Sequence, residues 1–98
     1  MLVHVVLMQL LPGVSESDLR NLADRVHALA DTVAGPNSCV VGPNITEEPL
    51  SQGFEFGFEL SFASHAELDT YHVNPAHLAI SLAIRSLTST VLVFDFAS

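Results

Sequence analysis

Val3-His4-Val5-Val6-Leu7-Met8-Gln9-Leu10-Leu11 decides the fold, because it is apolar on both of the faces that a strand presents. Its Val and Leu content suits a pleated, packed surface. Alternation sets His4, Val6, Met8 and Leu10 on one face and Val3, Val5, Leu7, Gln9 and Leu11 on the other. A strand with two apolar faces is a strand covered on both. Helices of the same chain can supply one cover. The other has to come from elsewhere.

Composition points the same way. The chain has 98 residues, which fits a single domain over 1–98 with one modest core. Apolar residues make up 49% and charged residues 14%, where a soluble domain usually has about a quarter charged. Part of that apolar surface is expected to meet a partner, and the simplest partner is a second copy. The net charge is −8, with no lysine and three arginines, Arg20, Arg25 and Arg85. Binding to nucleic acid or to an anionic membrane needs clustered cations, so neither partner is expected. Cys39 stands alone and cannot close an internal disulfide, which suits a reducing, cytoplasmic setting. The opening apolar run lacks the charged flank of a signal peptide and is too short to span a bilayer as a helix.

The rest of the chain alternates strand and helix. Pro12-Gly13 ends the first strand, and Ser15-Glu16-Ser17-Asp18 resembles a capped helix start. Leu19, Leu22, Val26, Leu29 and Val33 then recur at steps of three and four, and Gly35-Pro36 closes the helix. Ser38 to Val41 reads as a short strand. A polar loop follows from Gly42 to Gly53. Phe54, Phe56, Phe58, Leu60 and Phe62 alternate with Glu55, Gly57, Glu59 and Ser61, the pattern of a strand with one face toward a core. Ser64-His65-Ala66-Glu67 opens a short helix to about Tyr71. A further helix runs from Asn74 to about Leu87, and Val91 to Phe96 is the last strand. The order β-α-β-β-α-β is the ferredoxin-like α+β arrangement, one antiparallel sheet with helices on one face. The bare face of its first strand predicts dimerisation into an α+β barrel.

Tyr71-His72-Val73-Asn74-Pro75-Ala76-His77 carries the chemistry. Asn74 suits the N-cap and Pro75 the first helical position. His77 then falls in the first turn, where the helix dipole disfavours the imidazolium. A neutral imidazole at working pH is what a general base needs. Read from the residues alone, His77 serves either as that base or as a group that closes the helix start. His4 has the same two readings, a pocket group or a core imidazole bonded to backbone, and Tyr71 is either an acid or a core aromatic. His27 and His65 fit solvated helix faces, and His72, beside Tyr71, either stands exposed or lines a pocket mouth. No helical spacing of metal ligands stands in convincing context, so no transition-metal site is expected, although carbonyls near Ala30 to Gly35 leave room for a hard cation. Phe56 and Phe58, with Ile80 and Ile84 on the His77 stripe, are the candidate apolar lining. Glu55 and Glu59 point to the dimer side, where Glu59 would find a partner in Gln9.

The chain resembles the stress-responsive A/B barrel (Dabb) family, including its plant polyketide cyclases. The likeness rests on the His4-Val5-Val6-Leu7 strand followed by Pro12-Gly13, on Gly53-Phe54, on Asn74-Pro75-Ala76-His77 and on Val91-Leu92-Val93-Phe94-Asp95-Phe96. The motif's first histidine is Asn74 here, a third-strand histidine of the cyclases is Phe56, and a first-strand lysine is Gln9. The resemblance implies a homodimeric barrel. It also implies a cofactor-free intramolecular aldol condensation with His77 and Tyr71 as the acid–base pair and His4 in the same pocket, acting on a hydrophobic or aromatic small molecule. Two other functions fit the same fold: a stress-associated dimer without catalysis, and a cofactor-free monooxygenase.

Overall fold

A computed structural model describes residues 1–98. Four strands form one antiparallel sheet: β1 (Leu2–Leu10), β2 (Cys39–Pro43), β3 (Phe56–Phe62) and β4 (Thr88–Ala97), in the order β2-β3-β1-β4. Three helices complete the ferredoxin-like order: α1 (Glu16–Ala34), α2 (His65–Val73) and α3 (Pro75–Leu87).

Local chemistry fixes the helix ends. The Asp18 N–H donates to Ser15 Oγ at 3.0 Å and the Ser15 N–H donates back to Asp18 Oδ2 at 3.2 Å, so two orphan donors are satisfied reciprocally. Gly35 ends α1 at φ +88°, with its N–H on the Asp31 carbonyl. At α2 the Ser64 hydroxyl accepts from the Glu67 N–H, while the Glu67 carboxylate takes the Ala63 N–H. The helix runs on to Val73, past the expected end near Tyr71. Asn74 then ends α2 and caps α3, its Oδ1 accepting from the Ala76 N–H at 2.9 Å.

The core lies between the helices and one face of the sheet. Leu2, Val6 and Met8 of β1 join Phe56, Phe58, Leu60 and Phe62 of β3, packed against Leu22, Val26 and Leu29 of α1, Leu68 and Tyr71 of α2, and Ile80 of α3. The alternation read from the sequence holds over β3, but the strand starts at Phe56 instead of Phe54. Gln52 and Gly53 both take positive φ, so the chain turns there before it can join the ladder. β4 starts three residues earlier than expected, directly after α3. Its polar Thr88-Ser89-Thr90 start carries no strand pattern of its own and is drawn in by pairing with Gln9 and Leu10.

On the opposite face, Val5 pairs with Phe94 and Glu59, and Leu7 with Leu92 and Gly57. No helix covers this side. Phe94 is 58% exposed and Phe96 45%. Gln9 does not bond Glu59 as expected: its side chain donates to the Gln52 carbonyl at 2.8 Å, and Glu59 stays exposed. The carbonyls of Ala30 and Gly35, considered above for a cation, both lie within reach of the Ser38 hydroxyl, at 3.3 and 2.7 Å.

Candidate functional site

β4 lies at the sheet edge beyond the helices, and this leaves a cavity of about 450 Å³ between α3 and the β1–β4 pair. Five residues gather at one end of it: His4, Tyr71, His72, His77 and Asp95. β1 supplies His4 from its helix-facing side. α2 supplies Tyr71 and His72 from its last turn. The Asn74 cap turns the chain, so that α3 starts with His77 aimed back at them. Ring centroids are 4.9 Å apart for Tyr71 and His77, 5.1 Å for His72 and His77, and 5.6 Å for His4 and His72. Tyr71 and His4 stand edge to face at 6.2 Å.

The sequence-derived trio His77, Tyr71 and His4 is therefore brought together. Phe58, Ile80 and Ile84 line the same cavity. Phe56 does not: it lies in the core and borders a groove on the far side of β3. Three further residues join the trio, and of these only His72 had a pocket reading in the sequence. Asp95 accepts from His4 Nδ1 at 2.6 Å, across 91 residues of chain. The β1–β4 register sets these two residues opposite each other. Its signal was present, since Asp95 is the one charge in the apolar run Val91 to Phe96. His72 is solvent-exposed, but its ring also closes the histidine cluster. Ser81, one turn after His77, holds its hydroxyl 3.5 Å from His77 Nδ1.

Each group's environment sets its proton affinity. Burial pushes His77 below its ordinary 6.5, and the neighbouring His72 and His4 push the same way. The dipole expected from sequence favours the same neutral form. His72 is also lowered, first by burial and then by His4, against the opposing pull of Asp95 and Asp69. Tyr71 is 1% exposed, and burial raises its phenol well above the usual range. It stays protonated at neutral pH, which leaves its hydroxyl able to donate. Burial likewise raises Cys39 to about 11, which makes it an inert thiol. Asp95 engages His4 through Nδ1 and leaves Nε2 as the atom available to a ligand. The cluster thus sets a neutral imidazole and a protonated phenol beside an apolar cavity, groups able to move a proton next to a carbonyl.

A family model for the stress responsive A/B barrel domain matches residues 2–98. The chain belongs to this family. It is 27% identical over 93 residues to the stress-response A/B barrel domain-containing protein HS1 of Arabidopsis thaliana, covering 95% of this chain and 85% of the relative. It is 19% identical over 93 residues to olivetolic acid cyclase of Cannabis sativa, covering 95% and 92%. Among solved structures, a dimeric ferredoxin-like protein of unknown function from Jannaschia superposes with a TM-score of 0.88 at 24% identity, over 99% of this chain and 98% of that one. That last likeness carries the fold. No helix of this A/B barrel chain is long and apolar enough to cross a membrane.

Proposed function

We propose that this A/B barrel protein binds an apolar small molecule bearing carbonyl groups and catalyses proton transfer within it, a cofactor-free, cyclase-type reaction. The observation that carries the proposal is the convergence of His77, Tyr71 and His4 on one cavity, with His77 held neutral by burial. Ser81 Oγ lies 3.5 Å from His77 Nδ1, and in the tautomer whose Nδ1–H donates to that hydroxyl, Nε2 is the basic atom. It takes a proton from the carbon next to a carbonyl. The freed electron pair moves onto that carbonyl's oxygen, where the Tyr71 hydroxyl donates a hydrogen bond to the developing charge. The enolate carbon then bonds to a second carbonyl carbon of the same molecule. The new alkoxide recovers the proton from the His77 imidazolium, so the catalyst ends as it began. Asp95 is a positioning residue that fixes the His4 ring. A relative named as a cyclase fits this reading.

We also infer that a second copy covers the bare face of the sheet. Val5, Leu7, Leu92, Phe94 and Phe96 form an apolar surface there, larger than single scattered residues would make it, and a structural neighbour is described as dimeric.

The proton-transfer step is tested directly by NMR, following exchange of the acidic CH₂ protons of an aryl β-diketone into deuterated water. The protein should accelerate exchange, and His77→Ala should lose about a hundredfold of that acceleration while keeping its fold by circular dichroism. Equal exchange with and without the His77 ring would reject the mechanism.

A further inference from the structure

The cavity has two polar ends. One is the cluster of His4, Tyr71, His72 and His77, with the Asp95 carboxylate held by His4. The other is formed by Arg85, Thr88 and Ser89. Between them the lining is hydrocarbon from Val6, Phe58, Ile80, Ile84, Val91 and Val93, interrupted by the Ser81 hydroxyl. His77, Ser81 and Arg85 recur every four residues and run along one side of α3. At the helical rise per residue, His77 and Arg85 stand about 12 Å apart.

Arg85 is one of only three cationic side chains in a chain of net charge −8. It has no carboxylate to pair with, since the one ion pair in the chain joins His4 and Asp95. A guanidinium presents donors in a planar fork that matches a carboxylate. The general field of the protein repels anions, so a cation at the cavity mouth is a local exception to it.

We propose that the ligand is an elongated apolar acid: its carbonyl or phenol end meets the histidine cluster, and its carboxylate meets Arg85. This rests on the cavity being the small-molecule site argued above, and it adds the ligand's charge, length and orientation.

The test uses a matched pair of probes, para-hydroxyphenyl-hexanoic acid and its primary amide. Their polar ends span a similar length and they differ in charge. Calorimetric titration of the intact protein should show the acid binding about fivefold more tightly than the amide, the scale of a partly exposed ion pair. The preference should shrink with added salt. Arg85→Gln should abolish it by weakening the acid alone, and Arg85→Lys should restore part of it. An acid-to-amide ratio near one in the wild-type protein, or a preference that survives Arg85→Gln, would overturn the assignment of the anion while leaving the cavity as a binding site. Failure of both probes to bind would overturn the cavity reading and this inference with it.

Discussion

Replacing Asp95 should cost stability through a residue at the other end of the chain. His4 is 5% exposed and its Nδ1 lies 2.6 Å from Asp95 Oδ1. The Asp95 side chain is 36% exposed. A hydrogen bond to a charged group contributes about 1.5–3 kcal/mol. Solvent at the Asp95 end screens it, which brings the expected loss for Asp95→Ala to about 1–2 kcal/mol. For a domain of this size that lowers the melting temperature by roughly 5–15 °C. Asp95→Asn keeps an acceptor and loses the charge, so it should fall between the two. Each substitution also removes one negative charge from a chain of −8, which relieves self-repulsion. Asp24→Asn, at an exposed position of α1, measures that relief alone. The assay is thermal melting at one protein concentration, since a dimer's midpoint depends on concentration, with nitrogen NMR of the His4 ring as a second readout. If Asp95→Ala melts with Asp24→Asn and the His4 tautomer is unchanged, the pair does not hold the ring.

Further predictions concern pH, the sheet and assembly. His72 and His77 are both lowered from 6.5 in the folded chain. Below that value the unfolded chain takes up protons that the folded chain refuses, so their contribution is present above 6.5 and is lost as pH falls through the lowered values. The urea midpoint should therefore drop between about pH 7.5 and about pH 5.5, and the drop should shrink in a His72→Gln, His77→Gln double variant; an unchanged drop would assign it to other groups. Gly57→Ala would set a methyl 2.9 Å from both the Val6 carbonyl and Leu7 Cδ2. It should destabilise by about 1–3 kcal/mol, and an unaltered melting curve would show that β1 yields freely. Phe94→Glu places a charge on the bare apolar face and should halve the sedimenting mass. A wild-type chain that already sediments as a monomer would end the two-copy reading.

The sequence by itself determined the elements and their faces. Periodicity is a local property, so the α1 stripe and the β3 alternation were legible residue by residue. Capping is local too, and Asn74-Pro75 by themselves place His77 in its helical turn. The two apolar faces of β1 showed that its second side wants a cover. Where strands begin was less legible, because Thr88-Ser89-Thr90 is extended by its neighbours and not by its own side chains. The sequence, with the family resemblance, named His77, Tyr71 and His4, but how the site is assembled belonged to the tertiary structure. His4 meets Asp95 because β1 and β4 pair in one particular register, and a shift of a single residue would turn Asp95 to the opposite face. His72 joins the cluster because α2 continues past Tyr71. The cavity itself is space left by α3 beside the edge strand, and empty space has no sequence pattern. Nearest-neighbour chemistry sets what each segment is. Long-range pairing sets which side chains share a volume, and that sharing gives His77 its neutral ring and Arg85 its place at the far end.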